Sequence, residues 1–255
     1  MRIRLVAAAM SAALLVAGCV STTPTEDRAQ PKQAARFNVR LGVAYMQQGR
    51  LDLALHKLQR ALRQDPNLPS ANTAIARLYE RRGNTDLATR YYQRALDIAP
   101  HDPKVQNAYG VFLCRHDRVA ESEAHFLAAA RDPDYTTAEA AYTNAGICLL
   151  KINEKDKAEA DFRRALQVEP DYAEALWQLA RLSYDEGKYL QTRAFLQRFM
   201  AHAREPQAGV LWLAARTEKA LGADAEAQKF ARRLMARFPR SAEATLASKM
   251  MRDGR

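Results

Sequence analysis

A period of 34 residues is the strongest regularity in this chain. The stretch 41–66 aligns with the stretch 75–100 without a gap. The residue types that recur at an offset of 34 are Tyr45 and Tyr79, Gly49 and Gly83, Ala54 and Ala88, Ala61 and Ala95, and Pro66 and Pro100. Self-similarity at a fixed period of this length indicates an architecture in which one supersecondary unit is stacked several times.

The repeated pattern of small, aromatic, glycine, alanine and proline positions resembles the tetratricopeptide repeat, a helix-turn-helix unit of the same length. The register continues along the chain after a two-residue insertion around 132–137. The resemblance implies an all-α, right-handed α-α superhelix, a solenoid in which each unit contacts its neighbours. We expect this domain over 35–255, with repeats near 35–68, 69–102, 103–136, 139–172, 173–206 and 208–241 and a capping helix over 241–252.

Small residues recur at the eighth position of each unit, and glycines recur near the fifteenth. The small residues would let the two helices of a unit approach closely, while glycine supplies the positive φ that a tight turn requires. The eighth positions are Gly42, Ala76, Gly110, Gly146, Ala180 and Ala215. Phe199 and Leu234 stand where the pattern has alanine, so we expect local packing to differ in repeats five and six.

The N-terminus has the three parts of an export signal. Arg2 and Arg4 form a basic head, residues 5–15 are almost wholly apolar, and small residues precede Cys19. Such an apolar run is too short to span a bilayer alone. The tetrapeptide Val16-Ala17-Gly18-Cys19 resembles the lipobox of bacterial lipoproteins. The alternative is a buried first helix in which the cysteine is incidental.

The lipobox resemblance implies a lipoprotein signal peptide over 1–18 and fatty acylation of Cys19, palmitate included. In lipoproteins of this kind an aspartate after the acylated cysteine retains the protein at the inner membrane. Val20 stands there instead, which favours the periplasmic face of the outer membrane of a Gram-negative bacterium. Residues 19–34 contain proline, serine and threonine and little that could pack, so they are predicted to form a flexible tether.

The net charge of the chain does not by itself identify a partner. The compartment to which the chain is exported narrows the choice further. The formal net charge is +10, and +8 remains once Arg2 and Arg4 leave with the signal. A strongly basic balance often indicates nucleic-acid binding. Export argues against a nucleic-acid partner, and leaves acidic lipid headgroups, cell-wall polymers and other proteins.

No motif in the sequence carries catalytic chemistry. The five histidines are scattered, and we find no HExxH motif, no cysteine pair at metal spacing, no GxSxG and no phosphate-binding glycine loop. The sequence therefore predicts that the protein is not an enzyme, takes no cofactor and binds no metal.

Cys114 and Cys148 occupy neighbouring first helices of repeats three and four. They are the twelfth and tenth residues of their units, and two positions amount to about 200° of helix rotation. If Cys114 points forward to the next unit, Cys148 points back to the previous one. A disulfide is therefore geometrically plausible in an oxidising compartment, and two buried free thiols are the alternative.

The remaining candidate is a binding groove, because the first helices of such solenoids line the concave face. Positions 2, 5, 9, 12 and 13 of each unit share one helical stripe. The predicted groove residues are Val39, Val43, Met46, Arg77, Arg81, Lys104, Asn107, Arg115, Trp177, Arg181, Tyr184, Trp212 and Arg216. Arginine, tryptophan and tyrosine are the side chains that most often anchor protein interfaces. The alternative is a charged stripe that faces solvent, with the tryptophan side chains packed into the protein interior.

Four stretches go beyond the generic repeat. They are NAYGVFLC at 107–114, NAGICLL at 144–150, LWLAARTEKALG at 211–222 and RFPRSAEA at 237–244. With the lipobox and six repeats, they resemble the type IV pilus biogenesis lipoproteins of the PilF/PilW family. That resemblance implies a pilotin, a protein that binds secretin subunits and promotes their localisation and multimerisation at the outer membrane. We expect a monomer.

Two other functions fit some of these features. A scaffold for periplasmic cell-wall enzymes would share the lipid anchor and the solenoid. An enzyme with a helical auxiliary domain fits less well, because the repeats occupy nearly all of the mature chain.

Overall fold

The computed structural model describes residues 24–202 and 205–253. Within those ranges the chain forms thirteen α-helices and no strand, and none of these helices has both the length and the apolar character to cross a membrane. The helices are α1 (Pro24–Gln47), α2 (Leu51–Gln64), α3 (Pro69–Arg81), α4 (Thr85–Ile98), α5 (Pro103–Arg115), α6 (Val119–Ala130), α7 (Ala138–Lys151), α8 (Lys155–Val168), α9 (Ala173–Asp185), α10 (Tyr189–His202), α11 (Ala208–Ala220), α12 (Asp224–Arg237) and α13 (Ala242–Asp253).

Each odd-numbered helix from α1 to α11 pairs with the helix that follows it, and the six pairs coincide with the six predicted repeats. The turns within four pairs are closed by glycines with φ of 73–75°, namely Gly49, Gly83, Gly187 and Gly222. Asp117 and Asn153 adopt the left-handed conformation in the other two turns, which aspartate and asparagine tolerate better than most residues. The predicted all-α solenoid is therefore confirmed.

Close contact within a pair depends on the small residue at the eighth position. A Cβ atom on Gly146 would lie 2.6 Å from the Phe162 ring, and one on Gly110 would lie 2.8 Å from the Phe126 ring. Real Cβ atoms do not approach other atoms so closely, because interiors are already close-packed. Phe126 and Phe162 are fully buried, so each glycine creates the space that its partner ring fills.

The stack curves towards the odd-numbered helices. Each odd-numbered helix contacts the next odd-numbered helix, whereas within the described ranges no even-numbered helix contacts the next even-numbered one. The odd-numbered helices are therefore closer together and form the inner wall of the solenoid. Their exposed stripes line its concave face.

The C-terminal helix α13 covers the end of the stack. Ala244 and Ala247 are buried against Leu211 and Leu234 of the last repeat. The Ser241 hydroxyl accepts a hydrogen bond of 3.1 Å from the backbone N–H of Ala244 and so caps the N-terminus of α13. Leu234, which replaces the expected alanine, is buried in this same cluster.

Helix α1 begins earlier than the sequence predicted. Residues 24–34 are helical, so the expected flexible tether over 19–34 is wrong for this part. The segment contains two alanines, two glutamines, a glutamate, a lysine and an arginine, which favour helix, and extending an existing helix avoids the cost of nucleation. Pro31 is accommodated within it. The signal peptide over 1–18, Cys19 and the rest of the tether lie outside the described residues.

Cys114 of α5 and Cys148 of α7 are joined by a disulfide in the structure. Their Cα atoms are 5.7 Å apart, a usual separation for this bond. Cys148 is buried, and its sulfur lies 3.1 Å from the hydroxyl oxygen of Ser122 on α6. The bond thus links two neighbouring odd-numbered helices across a repeat boundary.

We expect reduction of this disulfide to lower stability. Closing a span of 34 residues restricts the unfolded chain by about 3–4 kcal/mol in the loop-entropy treatment. Urea unfolding with and without a reductant measures the difference, and a double variant, Cys114→Ser with Cys148→Ser, should be insensitive to reductant. Two free thiols at these positions in unfolded, unreduced protein would contradict the bond.

Candidate partner-binding groove

Two open pockets lie on the concave face, one in each half of the solenoid. The first, of about 330 Å³, lies between α3 and α5. Three cations and one carboxylate line it, so it carries a net positive charge. Its lining residues are Arg77, Glu80, Tyr92, Lys104, Asn107, Ala108, Val111, Arg115 and Tyr135.

The charges of this N-terminal pocket are only partly compensated. Arg115 lies 3.3 Å from the Glu80 carboxylate. Arg77 and Lys104 form no ion pair with any carboxylate of the described residues. Burial raises the pKa of the Tyr92 hydroxyl well above its usual range, so this group stays neutral. The pocket therefore favours an anionic ligand group.

The second pocket, of about 240 Å³, lies between α9 and α11 and combines aromatic rings with guanidinium groups. Its lining residues are Trp177, Arg181, Tyr184, Asp185, Gly209, Trp212, Leu213 and Arg216. The guanidinium carbon of Arg216 lies 4.4 Å from the Tyr184 ring centroid and 5.8 Å from that of Trp212. That of Arg181 lies 5.9 Å from the Trp177 centroid. Such cation–π contacts orient the cations without neutralising them.

Nine of the thirteen predicted groove residues line these two pockets. Four of them come together in the N-terminal pocket and five in the C-terminal pocket. They are Arg77, Lys104, Asn107 and Arg115 in the first, and Trp177, Arg181, Tyr184, Trp212 and Arg216 in the second. Asn107 also accepts a hydrogen bond of 3.1 Å from the side chain of Asn144 on α7.

The apolar start of the predicted groove does not form an open surface. Val39 and Met46 are only 9% and 4% exposed and belong to the core between the first two repeats. Val43 packs against the same core and is half-buried. These side chains pack in the core that α1 forms with α2 and α3.

Arg81 also has a structural task that the sequence did not indicate. Its guanidinium donates a hydrogen bond of 2.5 Å to the Met46 carbonyl at the end of α1. Arg115 and Lys151 stand at the same thirteenth position in the next two repeats. The Lys151 ammonium donates to the Cys114 carbonyl at 2.8 Å. At the thirteenth position Arg81 and Lys151 therefore bind the C-terminal end of the previous first helix, where carbonyls lack helical partners. Arg115 pairs with the Glu80 carboxylate instead.

Lys151 also forms an ion pair with a residue in the turn between α5 and α6. The Lys151 ammonium donates a hydrogen bond of 2.5 Å to Asp117, and this bond lowers the pKa of the Asp117 carboxyl. Asp117 is the residue with positive φ in the α5–α6 turn. The ion pair thus secures the same turn that the left-handed residue closes.

The predicted groove set omits eight residues that line the pockets, five in the first and three in the second. Glu80 stands at the twelfth position and could have been found by the stripe rule. Tyr135 lies in the inserted segment and Tyr92 on a second helix, so neither belongs to the stripe. Asp185 and Gly209 line the C-terminal pocket, and they stand at the thirteenth and second positions of their repeats, so the stripe rule could have found both.

Comparison with known proteins agrees with the repeat architecture. Two models of the tetratricopeptide repeat match the chain, one over residues 45–111 and the other over residues 143–199. The matched segments include most of α3–α5 and of α7–α10, from which much of both pockets is built.

More specific similarities come from individual proteins. The type IV pilus assembly protein PilF of Pseudomonas aeruginosa is 27% identical over 185 residues, which are 71% of this chain and 73% of that protein. The crystal structure of PilW, a widely conserved type IV pilus biogenesis factor, is 32% identical with a TM-score of 0.73, covering 84% of this chain and 98% of that one. The structure of P. aeruginosa PilF is 25% identical with a TM-score of 0.75, covering 87% and 99%.

Arg81 and Arg77 lie one turn apart on α3, and their alanine variants should separate structure from binding. Arg81→Ala removes a charged hydrogen bond to Met46 and should lower the free energy of unfolding by about 1 kcal/mol. Arg77→Ala removes no ion pair and should change it by less than about 0.5 kcal/mol. Urea unfolding midpoints at unchanged slope measure both effects. Equal losses in the two variants would contradict this division.

Proposed function

Because the chain belongs to the tetratricopeptide-repeat family of type IV pilus biogenesis proteins that includes PilW and PilF, we propose that it acts as a pilotin. In this proposal it is an outer-membrane lipoprotein that binds secretin subunits and promotes their localisation and multimerisation at the outer membrane. Its function is then binding rather than catalysis, its partner is a protein rather than nucleic acid, and it works as a monomer.

The observation that carries this proposal is the concave face with its two pockets. Arg77 and Lys104 are exposed in the first, and two tryptophans are half-exposed in the second. Arginine and tryptophan contribute most to binding energy when a partner desolvates them. Both pockets are built from packed helices, so a bound segment would meet a pre-organised surface and the protein itself would lose little entropy.

Envelope location supports the same function. The type IV pilus role of the relatives points to the cell envelope, and the lipobox resemblance supplies an anchor at Cys19. One acyl chain holds a protein weakly, whereas several hold it stably. Since α1 begins at Pro24, residues 19–23 could place the start of α1 no more than about 18 Å from the acylated residue, even fully extended. The repeats would then stay tethered to the membrane into which secretin inserts.

Charge reversal in the N-terminal pocket should weaken secretin capture. Arg77→Glu with Lys104→Glu replaces two unpaired cations with anions, and we expect at least about a tenfold loss of affinity, equivalent to about 1.4 kcal/mol. The measurement is capture of solubilised secretin subunits by the purified full chain in detergent at two salt concentrations.

The matched control reverses the same number of charges on the outer surface. Arg90 and Arg94 are exposed on α4, and Arg90→Glu with Arg94→Glu should leave capture within about twofold. If both double variants lose affinity equally, net charge rather than the groove governs binding. Capture of cell-wall enzymes in place of secretin would favour the scaffold alternative.

The lipid anchor can be tested separately in cells. Without this protein, secretin multimers should be lost from the outer membrane, and Cys19→Ser should leave the solenoid folded but unable to deliver them. Membrane fractionation followed by gel analysis of heat-resistant secretin multimers measures both. Normal outer-membrane multimers in the deletion strain would contradict the pilotin function.

A further inference from the structure

We propose that the C-terminal pocket binds an extended acidic segment in the polyproline II conformation, with one carboxylate at every third residue. This inference rests on the proposed function, because it names the chemistry of the partner segment that the groove receives. It concerns the surface formed by Trp177, Arg181, Trp212 and Arg216, which we call the tryptophan–arginine ladder.

The ladder is a tandem element within two adjacent repeats. Trp177 and Trp212 are 35 residues apart, as are Arg181 and Arg216. Each tryptophan precedes its arginine by four residues, one turn of the same helix. Because α9 and α11 pack beside each other, the structure presents the same ring-and-cation pair twice, side by side, across the concave face.

The spacing expected between two packed helices favours one conformation of the ligand. Neighbouring helices pack about 8–10 Å apart. A polyproline II helix advances about 9.3 Å in each three-residue turn, so every third side chain meets the next rung. A β-strand presents side chains on one face at intervals of about 6.7 Å, so its third and fifth residues would fall on either side of the second rung. Flat aromatic surfaces are also the usual receptors for proline rings.

The charges of the pocket select an acidic ligand. Neither Arg181 nor Arg216 forms an ion pair with a carboxylate in the part of the chain that the structure describes. Both are exposed, and their guanidinium planes are held by aromatic rings. Asp185 is the carboxylate that lines the pocket, so one positive charge remains in excess. A ligand carboxylate at each rung could form an ion pair with a guanidinium group that already lies against an aromatic ring.

Gly209 keeps this pocket open. It lies in the first turn of α11 and lines the pocket, and a Cβ atom there would meet nothing within 4 Å. A larger side chain therefore fits without displacing the fold and fills ligand space instead. This makes Gly209→Phe a steric plug and Gly209→Ala its matched control.

The chain has its own reporter for this site. It contains two tryptophans in all, and both belong to the ladder. Intrinsic tryptophan fluorescence of the full chain in detergent therefore responds to the C-terminal pocket. The probe is an end-blocked nonapeptide of three Pro-Pro-Glu units, and its matched isomer has the same composition with the three glutamates adjacent.

The periodic peptide should change the fluorescence saturably and bind at least about tenfold more tightly than the isomer. Gly209→Phe and Arg216→Gln should each weaken it by at least about tenfold, whereas Gly209→Ala should stay within about twofold. Circular dichroism of each variant verifies the helical fold, and Arg216→Gln leaves both reporters in place.

Equal affinity for the periodic peptide and its isomer, or unchanged binding in a folded Gly209→Phe variant, would overturn the inference. Secretin capture by the unaltered chain is measured in parallel. If capture persists while the peptide fails, this ligand assignment falls and the proposed function stands. If the peptide binds as expected while secretin is not captured, the ligand class stands and the pilotin function falls.

Discussion

The contact between a small residue on one helix and a large ring on its partner is the constraint on which the solenoid depends. At Gly110 and Gly146 the missing side chain leaves room for Phe126 and Phe162, and a Cβ atom would overlap those rings. Helix pairs that approach so closely can stack through their first helices, which brings the odd-numbered helices together and leaves the even-numbered ones apart. The concave face, and therefore both pockets, follows from this packing.

The cations of the groove differ in their contacts according to their position in the repeat. The thirteenth-position residues Arg81 and Lys151 donate hydrogen bonds to carbonyls of the preceding first helix. The ninth-position residues Arg77, Arg181 and Arg216 have no carboxylate partner among the described residues, and the latter two lie against aromatic rings. A residue type alone does not distinguish these roles. At the thirteenth position Arg81 and Lys151 reach the last turn of the preceding first helix, where carbonyls lack helical partners, while Arg115 pairs with Glu80 instead.

Much of the fold could be predicted from the sequence, since helix pairing depends on a local pattern that repeats every 34 residues. The period located all six pairs and the cap at Ser241. The residues of the candidate site were harder to predict than the fold. The stripe rule found Trp177 and Arg216 because they lie on exposed turns of α9 and α11, but it misplaced Val39 and Met46, whose burial depends on how α1 meets α3. It also missed Tyr135, because an inserted segment has no register, and it treated 24–34 as a tether where composition favours a continued helix.

Hydroxyl-radical footprinting of the full chain with the proposed secretin ligand is the sharpest test of the concave face as a binding surface, because it reports which side chains a bound polypeptide covers. If the odd-numbered helices receive the partner, oxidation of Trp177, Trp212 and Tyr184 will fall on binding. Leu190 on α10 and Val168 on α8 are 69% and 50% exposed on second helices, and their oxidation should not change. Protection of Leu190 and Val168 with undiminished oxidation of both tryptophans would contradict the account.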